Sequence, residues 1–247
     1  DDVRKLTSLG DRFLGLESET KDQIFRNFEE LGADYSELSA AYKDLRQFGR
    51  TMDAGDPTLS PEAVEVYDLA NNGFNINTQT RAAVVYNVLK GYTGPGVITI
   101  GNCDYHDGTQ TTGDEKDLEI GVELGRAFHL AHKLQTPLFV QIITDGGVYA
   151  SGDSFDRSWL GDQNLHSLSV MAYYDPTGKT TTRRLQLGHY TRGGELAQEN
   201  NIVKEESMMV RSVMANYLAV QGLEGRFEEL TGIRLRPEDL DKLLVFG

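Results

Sequence analysis

The chain has 247 residues, 39% hydrophobic and 25% charged, enough to enclose a core and ordinary for a globular protein. Its 38 acidic residues outnumber 24 basic ones, for a formal net charge of −14, and the scattered basic residues exclude the clustered positive surface that nucleic acid requires. No run of about 18 apolar residues occurs, so no membrane span is expected, and the single cysteine, Cys103, excludes both an internal disulfide and a thiolate-rich zinc site.

The chain opens DDVRKLTSLGDRF, without an initiator Met or a signal-peptide pattern, which suggests a processed or excised segment. The first third then reads helical. Residues 18–32 place Ile24, Phe25, Phe28 and Leu31 on one stripe that ends at Gly32. Residues 34–49 repeat the pattern with Tyr35, Leu38, Tyr42, Leu45 and Phe48, and Asp34 with Glu37 forms a capping box. A loop follows, then a short helix with Ser60 as N-cap and Pro61 at its first position. Stripes at this spacing are expected to pack a core or a subunit contact.

TQTRAAVVYNVLKGYTG predicts an apolar-faced helix, and Pro95–Gly96 leads into VITIGN, a β-branched run of the kind found in buried strands. Next comes GDEKDLEIGVELGRAFHLAHKLQ, a long helix with Ile120, Leu124, Ala127, Phe128, Ala131 and Leu134 on one face. TPLFVQIITDGG reads as a second buried strand. Strand, helix and strand in this order predict a βαβ unit with parallel strands. HSLSVMAYYDPTGKTTTRRLQLG predicts an antiparallel hairpin about DPTGK, and a terminal helix follows with Val210, Val213, Met214, Tyr217 and Leu218 on one face. The expected fold is a single α/β domain over 1–247. A helical extension (1–58) precedes a core (59–247) with a mostly parallel sheet flanked by helices.

In such a sheet, ligands bind at the carboxyl ends of the strands. NCDYHDGTQ would follow the first strand there and DGGVYASGDSFD the second, so Asp104, His106, Asp107 and Asp145 would converge. GDQNLHS would add Asp162 and His166. Carboxylate and imidazole together suit a divalent metal, Zn, Mn or Fe, with Ca a further option. Asp104 and His106 are two apart, so an extended loop can aim both one way. An EF-hand does not fit, because the glycine falls at position five counted from Asp104 and position three is His106. His129 lies opposite the apolar stripe of its helix, His132 at its edge, and His189 in a loop. Cys103 is expected to be buried and inert. No nucleophile elbow, phosphate loop or nucleotide-cofactor motif is present.

From about Ser60 onward these motifs resemble an exported bacterial sulfatase-like family of unknown function within the alkaline phosphatase superfamily. The family's Gly-Trp-Asp-Thr-His signature, with its following glutamine, is matched through Asp104, His106 and Gln110 of NCDYHDGTQ. Its Ser-Glu-Phe-Gly-Arg-Thr strand end corresponds to IITDGGVYA, with Asp145 as the acid. Its Thr-Asp-His-Gly segment is echoed by GDQNLHS through Asp162 and His166. The resemblance implies an alkaline-phosphatase-like fold, an exported location (periplasm, cell surface or medium) and a metal held by Asp104, His106, Asp145, Asp162 and His166. The family's N-terminal region, with its nucleophile, has no counterpart ahead of Asp1.

Two functions follow as expectations. One is a degenerate or fragmentary metal-dependent hydrolase of phosphate or sulfate esters. The other is a non-catalytic structural or assembly subunit of a surface layer, filament or virion, homo-oligomeric or part of a larger assembly. The aromatic stripes of the first third and the missing nucleophile segment favour the second.

Overall fold

The computed structural model describes residues 54–72, 75–103, 110–144, 147–150, 159–163, 168–191 and 196–247. The two helices expected over 18–32 and 34–49 lie outside these residues. The chain divides into two compact units, Asp1–Pro95 and Gly96–Gly247.

In the first unit, local capping chemistry sets the helix starts. The Asp56 carboxylate accepts the Thr58 N–H at 2.8 Å and opens a 3-10 turn, Pro57–Leu59. The Ser60 hydroxyl then accepts the Ala63 N–H at 3.3 Å and starts helix α1, Pro61–Tyr67, with proline at its first position as expected. Asp68, at φ 51°, turns the chain into the short α2, Leu69–Asn72. The Asn75 side chain accepts the Asn77 and Thr78 N–H groups, both at 3.1 Å, and starts α3, Ile76–Leu89. Ala63, Tyr67, Leu69, Ala82, Val85, Tyr86 and Leu89 are buried where α1, α2 and α3 pack together. The Asn87 amide donates to the Gly55 carbonyl at 2.7 Å and ties the end of α3 to the loop before α1.

The second unit begins with residues 96–103, which form no strand. Helix α4, Gln110–Leu134, confirms the long helix, and Ala127, Leu130 and Ala131 are its buried residues near the C-terminal end. Strand β1, Leu138–Ile143, lies where TPLFVQIITDGG predicted it. It pairs antiparallel with β4, Ser169–Tyr174, in register Leu138↔Tyr174 through Ile143↔Ser169. Between them in sequence, β2, Gly147–Ala150, and β3, Trp159–Gln163, form a second antiparallel pair with a bulge between Gly147 and Tyr149. Neither β2 nor β3 was expected. The C-terminal part holds α5, Glu206–Ala219, α6, Phe227–Thr231, and α7, Pro237–Leu243.

The expected mostly parallel, alkaline-phosphatase-like sheet is therefore overturned. Among the described residues helices predominate, and the strands form two two-stranded antiparallel ladders. Three physical reasons account for this. VITIGN has strand-forming side chains but no ladder partner among the described residues, and Asn102 at φ 60° breaks the extended run just before Cys103. Without that strand α4 connects no parallel pair. The expected hairpin about DPTGK also fails. Asp175 draws the chain round by accepting the N–H groups of Thr177, Lys179 and Thr180 at 2.8–2.9 Å. The emerging segment then pairs with the C-terminus instead of β4: Arg183 N donates to Val245 O at 2.7 Å, and Thr181 and Gly247 exchange backbone bonds at 2.8 and 3.0 Å.

The core of this unit joins Ala215, Leu218, Phe227 and Leu244, flanked by Met214, Leu223, Ile233, Leu235 and Leu240. Burying each large apolar side chain contributes about 1.5–3 kcal/mol. Beside it Phe139 of β1 meets Tyr217 and Phe246 edge-on, with ring centroids 5.7 and 6.2 Å away, and Tyr173 tilts against both Phe139 and Phe246. The buried face of α5 matches the expected one only in part: Leu218 is buried and Met214 packs against the core. Val210 and Tyr217 are about half exposed, whereas Ser212, Ala215 and Asn216 are enclosed.

Candidate metal centre

The enclosed face of α5 is turned by a polar cluster. The Asn216 amide donates to Leu243 O and Ser212 O, both at 2.8 Å, and its Oδ1 accepts the N–H groups of Val245 at 2.6 Å and Phe246 at 3.1 Å. The Ser212 hydroxyl also donates to Leu243 O at 3.2 Å. One side chain thus satisfies the carbonyl at the end of α7 and two amides of the C-terminal segment, and it is fully buried. Sequence reasoning missed this cluster. It organises structure and holds no reactive group.

The metal ligands expected from sequence are distributed as follows. Asp104 and His106, with Asp107, lie outside the described residues, as do Asp145 and His166. Asp162 is the fourth residue of β3 and precedes Gln163, which pairs with Gly147. The described residues that flank these positions are well held. Thr144 N donates to Leu168 O at 3.1 Å, and Leu168 N donates back to the Thr144 hydroxyl at 2.9 Å. Asp145 follows Thr144 and precedes Gly147 by two residues, while His166 lies between Gln163 and Leu168. On the other side, Asn102 at φ 60° and the first turn of α4 at Gln110 bracket the segment that carries Asp104 and His106.

The donor set, three carboxylates and two imidazoles, fits a cation of intermediate hardness such as Zn²⁺, Mn²⁺ or Fe²⁺ better than Ca²⁺, which takes oxygen ligands throughout. Among the described residues no three His, Cys, Asp or Glu side chains form a metal-binding group. Cys103 is exposed rather than buried, and its Sγ donates to the Ile100 carbonyl at 3.2 Å. His129 is exposed, as its position opposite the apolar stripe predicted. His132 meets β4 through Nδ1, 2.9 Å from the Tyr174 hydroxyl. His189 is exposed, and its carbonyl accepts Ala197 N at 3.2 Å.

Other charged groups act locally. Hydrogen bonds from the Thr177 side chain and the Thr180 backbone hold the Asp175 carboxyl well below the usual carboxylate range. The Arg226 and Arg236 guanidiniums lower the Glu229 and Asp239 carboxyls in the same way, across exposed contacts of 2.6 and 2.7 Å. An open cleft of about 430 Å³ is lined by Gln198, Asn200, Asn201, Ile202, Lys204 and Lys242 and holds none of the expected ligands. No helix among the described residues is long and apolar enough to cross a membrane.

Compared with known families, curated proteins and solved structures, the chain matches none.

Proposed function

We propose that this chain is a metal-dependent hydrolase of phosphate or sulfate esters, in degenerate or fragmentary form, with a divalent cation held by Asp104, His106, Asp145, Asp162 and His166. With the parallel sheet gone, the reading rests on the residues themselves. Its main support is the pairing that brackets the second ligand group. Thr144 hydrogen-bonds to Leu168 just outside β1 and β4, Gly147 pairs with Gln163 across β2 and β3, and Asp145, Asp162 and His166 lie in sequence beside or between those four positions. Asp162 is carried by strand β3, and a ligand on a strand is held more closely than one on a loop. Such a cation would polarise the ester oxygen and lower the pKa of a bound water. The protein's part is to supply negative and imidazole donors that neutralise the cation and orient the ester.

The test is hydrolysis of aryl phosphate and aryl sulfate esters by chain stripped of metal and reloaded with Zn²⁺, Mn²⁺ or Fe²⁺. The expected result is turnover that requires added metal and falls by about 100-fold in Asp104→Ala, the scale of losing one metal-site interaction. Turnover equal in stripped, reloaded and substituted chain would refute the reading.

A second reading, a non-catalytic assembly subunit, homo-oligomeric or part of a larger assembly, is favoured by one observation. The far end of the β1–β4 ribbon leaves Ile143, Leu168 and Val170 at 65%, 52% and 44% exposure. By the register Ile143 and Val170 lie on opposite faces of the ribbon, so apolar surface is left open on both sides of its end.

A further inference from the structure

The cleft bounded by residues 198–204 and Lys242 is short of acid for a chain of net charge −14. Its lining holds three amide side chains, Gln198, Asn200 and Asn201, the aliphatic Ile202, and two cations, Lys204 and Lys242, with no carboxylate. Glu199 and Glu205 adjoin it in sequence but do not line it. Other cations of this unit face acids: Arg183 reaches Asp241 at 3.0 Å, and Arg226 reaches Glu229 at 2.6 Å. Two cations at the cleft bond carbonyls instead. Lys204 Nζ donates to Gln198 O at 3.5 Å, and the half-buried Arg184 donates to Lys242 O at 2.9 Å. Neither makes an ion pair among the described residues. Lys242 has a long contact of 3.7 Å to Asp239, whose carboxylate Arg236 already holds at 2.7 Å.

The chain that forms the cleft is held in place. Asn201, only 5% exposed, donates from its amide to Ala197 O at 3.0 Å and His189 O at 3.4 Å, and its Oδ1 accepts Val203 N at 3.1 Å. A Cβ on Gly188 would fall 2.6 Å from Val203 Cγ2 and 3.0 Å from Asn201 Oδ1, so glycine lets a second segment close against this turn. Asn200 takes a left-handed φ of 55°, and its side-chain amide is uncommitted among the described residues. We infer that the cleft binds a small tetrahedral oxyanion, phosphate or sulfate. Two ammonium groups balance a dianion, and each is a compact charge whose donors rotate to meet it. The Asn200 amide adds a neutral donor, and a tetrahedral anion offers acceptors to donors that converge from different sides. Exposed acids more than about 8 Å away are largely screened in physiological salt, so the cations at the cleft decide. None of the proposed metal ligands lines the cleft, so the site does not depend on the hydrolase reading.

The test is titration of the isotope-labelled full chain with sodium phosphate, and in a parallel arm with sodium sulfate, followed by amide proton–nitrogen correlation spectra. Sodium chloride keeps the ionic strength constant, and chelator ensures that no bound metal attracts the anion. The expected result is a saturable shift centred on residues 198–204 and Lys242. Lys204→Gln and Lys242→Gln should each raise the midpoint about tenfold, the scale of losing one charge-assisted contact. Lys179→Gln removes the same charge from an exposed loop away from the lining and should leave the midpoint unchanged. The spectra themselves show that each variant is folded. Shifts that grow without saturating, or that are absent around 198–204, would overturn the inference. A midpoint that Lys179→Gln moves as far as the other two would overturn it as well. Each of these failures leaves the hydrolase reading standing, because metal-dependent turnover tests that reading separately.

Discussion

Asn216 concentrates more structure than any other side chain in the second unit, because its amide joins α5 to the end of α7 and to the C-terminal segment. Replacing it with alanine leaves the Leu243 carbonyl and the Val245 and Phe246 amides without that partner in a buried site. A loss of about 2–4 kcal/mol is expected, on the scale of buried polar groups stripped of their bonds, read as a lower urea midpoint with the slope unchanged. Asp175 offers a prediction in pH. Its folded-state carboxyl is held below the ordinary value of 3.8, so the ionised form is the one the turn favours. Its contribution is complete above that value, begins to be lost as pH falls below it, and disappears only once the folded carboxyl itself is protonated. The amide resonances of Thr177, Lys179 and Thr180 should follow that titration, and Asp175→Asn should abolish it. These two residues also mark what a sequence shows. Ser60 and Pro61 were legible because a cap bonds within three residues. Asn216 was not, because its partners lie 27 to 30 residues away.

At the scale of elements, helices among the described residues were read better than strands. α3 and α4 carry their evidence within their own length, as apolar residues three and four apart. A strand needs a partner that its own residues do not name. β1 was placed correctly, yet its antiparallel match to β4 depends on a distant aromatic pairing, Phe139 opposite Tyr173. VITIGN shows the converse, with ideal strand residues and no ladder among the described residues. Because Phe139 also touches Tyr217 and Phe246, Phe139→Ala should loosen the contact between β1, β4 and α5. A cost of about 2–3 kcal/mol is expected, below the range for a fully enclosed phenylalanine because this one is only half-buried. Chemical denaturation measures it. Near-ultraviolet dichroism should lose aromatic signal in parallel, while the far-ultraviolet helix signal persists.

At the scale of the molecule, the division at Pro95 and Gly96 falls in a run of exposed residues, Lys90 to Val97, rich in glycine turns. Limited proteolysis should cut after Lys90 with trypsin and after Tyr92 with chymotrypsin. Protection of both bonds would contradict an open connection. The acidic balance that argued against nucleic acid holds for the whole chain, and it also suits a cation site. The proposed metal site is read only from residue types at a spacing, Asp-x-His with distant acids and a histidine. Whether such residues meet depends on strand pairing that no local pattern encodes. The most direct measurement of the central claim is metal content of the purified chain, with melting temperature before and after chelation, beside Asp104→Ala and His106→Ala. The account predicts bound transition metal in the wild type, lost in both variants, and a melting temperature that chelator lowers only in the wild type. A metal-free chain whose melting temperature ignores chelator would contradict it.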